Sequence, residues 1–497
     1  MLFALLVLFV AVFMGWYRLR LRPRRWTKEL ISQGATLTPM EKDPSDSMYG
    51  IKKLIQKKPD TKAIIGQFPG RLGLFIFDTE LIKEVLTNHK YYSKLNSENE
   101  LSLLINARGI TKAEGDDWKL HRRIISEAFQ YDLFNGMVPV ILDGANEILN
   151  LSDKTPRTLL LPNDIELVTS DAVTRIFFGL RSKDLIINGK PASEEATQII
   201  RKNAEFSKRG IQLLLGNWPM NLSSSYRKHK KRILNFRNVF RQKIQERMQQ
   251  IQSQEHQEKK KTDLLEILLQ HRIKHNNDLT QTLSDEEILD EFAVFFLAGK
   301  DTTSLLVSMA LYCCVTYPEW GEKLIKEIHE HVGDLKELNV ESLNTMNVMT
   351  AFLSEVLRMY PPAPALLMRT ANCDHYIGKM FVRKGYIVNT IFLANNYSPK
   401  YFKDPDHFDP NRWMKTEDKD EGTKNPFAYI PFSAGQRNCI GKHMALIEAK
   451  LIICSILKNY KISLDDGFKL KMGSHSIGYG PAEPIPLKLT PLSFYEK

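Results

Sequence analysis

Cysteine is scarce in this sequence, with five among 497 residues. An odd and unevenly spaced set does not suit the disulfide framework of a small secreted domain. Neither a CxxC pair nor a second histidine pair accompanies Cys439 and His443, so a four-ligand zinc site is not indicated. Cys313, Cys314 and Cys454 lie in apolar runs and are expected to be small buried hydrophobic side chains. Cys439 is therefore the cysteine whose surroundings require a chemical explanation.

The sequence also lacks a long glycine-, serine- or proline-rich linker after residue 40, and it has no internal repeat. Because 43% of the residues are hydrophobic, the chain can form a large core, and we predict one catalytic domain over residues 41–497. No nucleic-acid-binding motif accompanies the formal charge of +11, so nucleic acid is not an expected partner. A membrane surface or an acidic protein explains that charge more simply.

The first residues indicate a membrane anchor. Leu2 to Tyr17 is a nearly unbroken apolar run, and the arginine-rich RLRLRPRRWTK follows it. A bilayer span takes about 20 apolar residues, with a lower limit near 17, so we predict a short anchor over residues 1–17 and a basic linker over 18–40. By the positive-inside rule, the body of the protein would remain in the cytosol. A cleaved signal peptide is the alternative, but its positive charge would precede the apolar core.

The apolar pattern predicts a mainly α chain with small β-sheets. Residues 60–90 alternate as strands do, in AIIGQF and LGLFIFD, and the pattern from residue 116 onward is mostly helical. Ser284 and Glu287 form a capping box before an apolar run that Pro318 ends, which predicts a long helix through the core. A further helix is predicted from Met346 to Tyr360, where two prolines follow.

The stretch from Phe432 to Gly441, FSAGQRNCIG, has the features of a thiolate site. Gly435 permits a tight turn, Arg437 adds positive charge near the sulfur, and Gly441 lets a flat ligand approach the backbone. We expect Cys439 to lie at the start of the next helix, whose dipole favours the thiolate. A catalytic cysteine with a histidine base would need a nucleophile signature that is not present. A lone thiolate that binds iron with one open face fits better.

The positions of Phe432, Gly435, Arg437, Cys439 and Gly441 are similar to the FxxGxRxCxG signature of the cytochrome P450 family. The resemblance implies a triangular, mostly helical domain that binds haem b, preceded by a single N-terminal transmembrane helix. Cys439 would be the axial ligand of the haem iron, with Phe432 and Gly441 beside it, and Arg437 would contact a haem propionate. Three further elements resemble the family in the same order, so the likeness covers roughly residues 60 to 490.

Glu355 and Arg358, in SEVLRMYPP, resemble the ExxR pair of the family. At positions i and i+3 they share one helix face, and their apolar flanks predict that the pair is buried. On a surface such a pair would contribute little, whereas a buried pair is costly and is best explained by the geometry that it fixes. The resemblance implies that both residues join Arg412, in FDPNRW, and hold the cysteine loop in register.

The predicted long helix carries the sequence AGKDTT at residues 298–303. Gly299 costs about 1 kcal/mol relative to alanine in a helix interior, which indicates a local opening of the hydrogen-bond ladder. A helix distorted by a back-bonding threonine is the alternative. The resemblance implies that Asp301 and Thr302 relay the two protons that oxygen activation requires, while Lys300 points away from the haem.

Trp118 and Arg122 form a WxxxR element in GDDWKLHRR, a pattern that also occurs at the start of ordinary amphipathic helices. The resemblance implies that both reach the haem propionates. Arg369, in LLMRTA, resembles another propionate ligand of the family. A dianionic haem edge inside a protein requires such cationic partners.

The resemblance implies an oxidoreductase, a monooxygenase that uses O2 as co-substrate and inserts one oxygen atom into a small apolar substrate. No flavin or nicotinamide motif is present, so no bound flavin or nicotinamide is expected. Electrons would come from a separate NADPH-dependent flavoprotein reductase, or from cytochrome b5. We predict that the reductase docks on a basic face that includes Lys119, Arg123, Lys442 and Lys450. The expected location is the endoplasmic reticulum membrane, with one membrane pass and a cytosolic catalytic domain.

Two other functions remain open from the residues. A haem-thiolate isomerase or dehydratase rearranges peroxides without a reductase, and such enzymes tend to lack the acid–threonine pair found at Asp301 and Thr302. A non-catalytic haem sensor or carrier would need neither a proton relay nor a distal cavity.

Overall fold

The computed structural model of this chain describes residues 22–37, 41–68, 71–94, 100–129, 131–207, 218–253, 263–365, 368–414, 421–475 and 478–492. The predicted anchor, residues 1–17, lies outside these residues. The chain divides into two compact units, the first from residues 1–95, 354–439 and 471–473, and the second from residues 96–353, 440–470 and 474–497. Each unit is built from separate stretches of chain.

The described residues are mainly helical with small sheets, as the sequence predicted. The helices are α1 Arg22–Ser32, α2 Tyr49–Lys57, α3 Thr79–Thr87, α4 Glu100–Ile105, α5 Gly115–Ala128, α6 Tyr131–Ile148, α7 Asn163–Phe178, α8 Ala192–Ser207, α9 Ser224–Gln252, α10 Leu264–Lys274, α11 Asp285–Thr316, α12 Pro318–His331, α13 Val340–Thr345, α14 Asn347–Met359, α15 Leu393–Asn396, α16 Glu421–Lys424 and α17 Lys442–Leu457. The strands are β1 Ala63–Phe68, β2 Arg71–Ile76, β3 Tyr92–Lys94, β4 Arg157–Leu161, β5 Ile186–Ile187, β6 Lys190–Pro191, β7 Arg369–Ala371, β8 His375–Ile377, β9 Met380–Val382, β10 Ile387–Thr390, β11 Tyr460–Ser463, β12 Met472–His475, β13 Gly478–Pro481 and β14 Ile485–Pro491.

The first unit is built on a five-stranded sheet with the strand order β1-β2-β10-β7-β3. β1 and β2 form an antiparallel hairpin, and β10 runs parallel to β2. Leu72, Leu74 and Ile76 alternate along β2 and are at most 1% exposed, because every second side chain of a strand faces the same side. The Asp78 carboxylate accepts from the backbone N–H of Glu80 and of Leu81, both at 3.1 Å, and so caps α3.

The predicted basic linker over residues 18–40 contains α1. Leu30 of this helix is 1% exposed and belongs to the same apolar core as the sheet. Glu29 forms an ion pair with Arg383 at 2.8 Å, also within the first unit. From Arg22 onward, this stretch is therefore part of a folded unit.

The second unit is organised around α11, which has 32 residues. The predicted capping box is confirmed: the Ser284 hydroxyl accepts from the Glu287 N–H at 3.4 Å, and the Glu287 carboxylate accepts from the Ser284 N–H at 2.9 Å. The long helix ends at Thr316, just before Pro318, as predicted, and Pro318 begins the next helix. Within the same unit, β11, β14 and β4 form an antiparallel sheet in that order.

Among the described residues, α11 is the one helix that is long and apolar enough to cross a membrane. However, 72% of its most apolar stretch is buried inside the protein. An apolar helix that other protein elements cover on most sides is what a core helix looks like, so this helix gives no support for a membrane span.

Candidate functional site

The cysteine loop of the first unit is a short series of turns that leaves Cys439 exposed. The Cys439 N–H donates to the Phe432 carbonyl at 2.9 Å, and this bond closes the loop. Gly435 has a φ of +74°, and a Cβ at this position would lie 2.9 Å from the Leu86 carbonyl oxygen. Only glycine fits both conditions. The following helix is Lys442–Leu457, KHMALIEAKLIICSIL, which the sequence predicted, and Cys439 lies three residues before its first residue.

Glu355 and Arg358 form a fully buried ion pair on α14, each with 0% exposure. Arg358 binds both oxygens of the carboxylate, with Nε donating to Oε2 at 2.9 Å and Nη2 donating to Oε1 at 2.8 Å. Its remaining donors reach three backbone carbonyls at 2.7–3.0 Å, those of Asn396, Pro405 and His407. The guanidinium therefore joins α14 to a loop about 40 to 50 residues further along the chain.

The Glu355 carboxylate has further donors on the same loop. It accepts from the Asp409 N–H and the Trp413 indole N–H, both at 2.9 Å, and from Arg412 Nε at 3.4 Å. Tyr429 lies against Trp413, with ring centroids 4.3 Å apart, and its hydroxyl donates to the Ser354 carbonyl at 2.9 Å. This places α14 directly against the chain that leads into the cysteine loop.

The predicted local opening of α11 is not present, because the helix is continuous from Asp285 to Thr316. The Thr302 hydroxyl donates to the Ala298 carbonyl at 2.6 Å, which is the back-bonded alternative. Gly299 has a different explanation in the tertiary structure. A Cβ at this position would lie 3.0 Å from Cγ2 of Val173 on α7, so glycine allows the two helices to approach closely.

Lys300 follows this glycine and is 2% exposed. Its ammonium group forms ion pairs with the carboxylates of Glu166, at 2.9 Å, and of Asp301. Asp301 is fully buried, and Glu166 belongs to α7. Thr169, one turn further along α7, donates to the Lys300 carbonyl at 3.0 Å. A buried cation thus stands between two buried acids, a contact that the sequence pattern did not predict.

Trp118 and Arg122 lie on α5, the first buried and the second half-buried. Between them, His121 is 1% exposed, and its Nδ1 lies 2.6 Å from Glu291 of α11. Burial alone would lower the pKa of His121, but hydrogen bonds and charge from Glu287 and Glu291 outweigh it and raise the pKa to about 9. His121 is therefore protonated at neutral pH and holds α5 to α11.

The other residues that are predicted to contact the haem lie in different units. Arg369 lies on β7 of the first unit and is 6% exposed, while Arg437 of the cysteine loop is half-buried. Gly441 precedes α17 in the second unit and is its N-cap residue. The first unit thus contains seven predicted site residues, Phe432, Arg437, Cys439, Arg369, Glu355, Arg358 and Arg412. The second contains five, Trp118, Arg122, Asp301, Thr302 and Gly441.

The predicted basic docking face needs one correction. Lys119, Arg123 and Lys442 are exposed, but Lys450 is 6% exposed. Its ammonium group donates to the Leu343 carbonyl at 2.7 Å and to the Thr350 hydroxyl at 2.8 Å. Burial lowers the pKa of Lys450, and its donors are directed inward, so its assignment to a docking face is wrong.

An apolar cavity lies inside the second unit, between α8, α9 and α11. Its volume is about 40 Å³. Its walls include Ile199, Ile233, Phe292 and Phe296. Arg237 is the charged residue of the lining, and its guanidinium is paired with Asp290 and Glu286 at 2.7 Å each. The cavity therefore favours an uncharged, apolar guest.

Comparisons with known proteins agree with the resemblance of the motifs. The family model described as Cytochrome P450 matches residues 64–485. Cytochrome P450 72A68 of Medicago truncatula is 30% identical over 404 residues, which cover 79% of this chain and 74% of that protein. Cytochrome P450 3A31 of Mesocricetus auratus is 27% identical over 437 residues, which cover 86% of this chain and 84% of that protein.

A solved structure, the haem domain of cytochrome P450DA, matches with a TM-score of 0.74 at 22% sequence identity. The match covers 91% of this chain and 97% of that domain. At this identity the likeness shows the fold, and it confirms the mainly helical cytochrome P450 fold with small sheets. The predicted transmembrane helix lies outside the described residues.

Proposed function

The chain belongs to the cytochrome P450 family, and on that premise we propose that it oxygenates a small apolar substrate with electrons from an NADPH-dependent reductase. Membership makes the chain an oxidoreductase, a haem-thiolate monooxygenase that uses haem b and O2. Members of the family take their electrons from redox partners. The substrate, the identity of the partner, the membrane location and the role of each site residue are parts of the proposal.

The described residues fit a haem group. Cys439 presents an exposed thiol on a loop that backbone hydrogen bonds and Gly435 keep compact. On α11, a mostly buried helix, Ala298 is exposed and Thr302, one turn later, is half-exposed. This uncovered strip of a core helix suits contact with a flat, largely apolar ligand.

The cationic side chains also fit the propionates. Cys439 would hold the haem iron through its thiolate, and Phe432 and Gly441 would also contribute to haem binding. Trp118, Arg122, Arg369 and Arg437 would bind the two propionates, because planar guanidinium groups pair well with carboxylates. These arginines are buried or half-buried, which removes them from competition with bulk water.

When bound, the haem supplies reductive activation of O2 and insertion of one oxygen atom into a C–H bond. The residues of this chain would deliver protons, position the haem and the substrate, and exclude water from the site. Asp301 would hold a proton on its carboxylate and pass it to the Thr302 hydroxyl, which lies on the uncovered strip of α11. The buried Glu355, Arg358 and Arg412 would keep the cysteine loop in register.

The apolar cavity supports the proposed substrate class. Its isoleucine and phenylalanine walls offer burial, and the one charged lining residue already has two carboxylate partners. We propose that the substrate is a lipid-like or xenobiotic molecule, and that the part of it that enters this cavity carries no charged group. Burial of a single CH2 group contributes about 0.8 kcal/mol, so the affinity should rise with chain length until the cavity is filled.

We further propose a single-pass protein of the endoplasmic reticulum membrane, anchored through residues 1–17, with a cytosolic catalytic domain over residues 41–497. A separate flavoprotein reductase, or cytochrome b5, would dock on exposed cations that include Lys119, Arg123 and Lys442. Charge reversal at Lys119 and Lys442 should slow reduction at low salt, where exposed charges are least screened. Unchanged reduction rates would count against this surface.

The exposed thiol of Cys439 is the observation that carries the proposal, and carbon monoxide tests it. The reduced protein under carbon monoxide should show the strongly red-shifted Soret band of thiolate-bound iron. Cys439→Ser should lose this band, and Cys373→Ser, which alters a second exposed cysteine, should keep it. A histidine-type spectrum in the unaltered protein, or a retained band in Cys439→Ser, would contradict the assignment.

Oxygen uptake separates the remaining functions. With the reductase and NADPH, a monooxygenase consumes O2, whereas a haem carrier does not. A peroxide isomerase would act on a lipid hydroperoxide without the reductase.

A further inference from the structure

The position of Lys300 in the fold bears on how protons reach Asp301. The family resemblance implies a side chain that points away from the haem; in the structure it is 2% exposed and lies between Glu166 and Asp301. Lys300 is the partner that the structure gives the Asp301 carboxylate. The Thr302 hydroxyl donates to the Ala298 carbonyl, so acid and alcohol are each engaged elsewhere.

A line of charged groups connects this pair to the surface of the second unit. Glu166 is 5% exposed, and Arg201 of α8 approaches its carboxylate at 3.6 Å. The Arg201 side chain is itself 59% exposed. Arg201, Glu166, Lys300 and Asp301 therefore form a continuous sequence of ionic contacts from solvent to a fully buried acid.

Stability alone does not explain this arrangement. Buried ion pairs are costly, and apolar side chains of similar volume often give equal or greater stability. The close approach of α7 and α11 at Gly299 and Val173 is apolar and does not require a charge. The buried charge of Lys300 between α7 and α11 is therefore not explained by the packing of the two helices, and it requires a functional explanation.

We propose that Glu166 and Lys300 are positioning residues that carry protons from solvent to Asp301. The proposal rests on the function assigned above to Asp301. In each cycle the Lys300 ammonium gives one proton to the Asp301 carboxylate and becomes an amine. Glu166, protonated from solvent, returns one proton to that amine and becomes a carboxylate again. The net result is one proton moved from water to Asp301, with no other bond formed or broken.

The test compares four single variants and one double variant of the haem-loaded, full-length protein. Lys300→Met removes the cation and keeps the chain length, and Glu166→Gln removes the acid and keeps its shape. Asp301→Asn tests the proposed function itself. Thr169→Val is the matched control, because it alters a contact at the same helix crossing but leaves every charge in place.

The first measurement is O2 reduction with the reductase and NADPH, without an organic substrate. Forming water consumes more protons than forming peroxide, so a slow supply should shift the product towards peroxide. We expect Lys300→Met and Glu166→Gln to lower the ratio of water to peroxide by about tenfold, and to raise the solvent deuterium isotope effect, since positioned acids and bases contribute 10²–10⁴-fold to such steps. Thr169→Val should stay close to the unaltered protein.

The second measurement does not depend on turnover. In Lys300→Met, two buried carboxylates lose their shared cation, so one should take up a proton. An infrared band of a protonated carboxyl group, sensitive to deuterium, should appear in Lys300→Met and be lost in the Lys300→Met, Glu166→Gln double variant.

The outcomes separate the two levels of the proposal. If Asp301→Asn changes neither the product ratio nor the isotope effect, the function proposed for Asp301 fails. If Asp301→Asn changes both while Lys300→Met and Glu166→Gln behave like Thr169→Val, only the proton path is overturned. A missing infrared band in Lys300→Met would also contradict it, because the two acids would then not share the cation.

Discussion

Replacing one carboxylate with its amide, in Glu355→Gln, should destabilise this protein more than any surface change of the same size. The carboxylate lies between two buried guanidinium groups, with Arg358 at 0% and Arg412 at 9% exposure. The amide keeps the volume but leaves both cations without their counter-charge. Removing one partner of a buried ion pair costs about 3–5 kcal/mol.

The expected change in melting temperature follows from the size of the protein. Unfolding entropy is roughly 2.1 cal/mol/K per residue, which for 497 residues is about 1 kcal/mol/K. Cooperative unfolding of the whole chain would then give a drop of about 3–5 °C, and unfolding of the first unit alone would give a larger one. Circular dichroism during heating measures the shift, and the Soret absorbance of the same sample reports haem retention.

Glu29→Gln is the matched control, because it makes the same chemical change in an ion pair of the same unit. Glu29 and Arg383 are 33% and 31% exposed, so their pair should contribute about 1 kcal/mol or less. Equal melting temperatures for the two variants would refute the reasoning, since burial would then have no effect on the cost. Haem retention in Glu355→Gln equal to that of the control would refute the role assigned to Glu355 in holding the cysteine loop.

Two further predictions concern contacts inside the second unit. The pKa of His121 is raised from 6.5 to about 9 by Glu287 and Glu291, so its stabilising charge is fully present below about pH 6.5 and is lost as the pH rises through about 9. The melting temperature should fall over that range in the unaltered protein and fall less in His121→Gln; equal slopes would contradict the ion pair. Gly299→Ala should lower the melting temperature because its Cβ meets Val173 at 3.0 Å, although alanine is favoured in helices by about 1 kcal/mol. In a Val173→Ala background the same change should raise the melting temperature, and a drop in both backgrounds would show that packing is not the reason for the glycine.

The local features of this fold could be predicted from residues that are close together in the sequence. The capping box at Ser284 and the proline at 318 mark the start and end of α11, because caps and breakers act within one helical turn. The helix predicted from Met346 to Tyr360 runs from Asn347 to Met359 for the same reason. The motif around Cys439 likewise depends on glycines and charges within a few positions of the sulfur.

The predictions that failed concerned positions whose neighbours are distant in sequence. Gly299 suggested a broken helix, but its cause is Val173, a residue of another helix. Lys450 was placed on the surface, yet its acceptors lie about 100 residues earlier in the chain.

The sequence by itself determined the helical class and the ends of the core helix, and it singled out Cys439 as the proposed haem ligand, because each depends on spacing within a few residues. Only the tertiary structure decided that Lys300 lies between Glu166 and Asp301, and that His121 lies against Glu291. Lys300 and Glu166 are 134 positions apart in the sequence, and His121 and Glu291 are 170 positions apart. No sequence pattern around a charged residue identifies the distant carboxylate with which it forms an ion pair, because that contact depends on how whole helices pack.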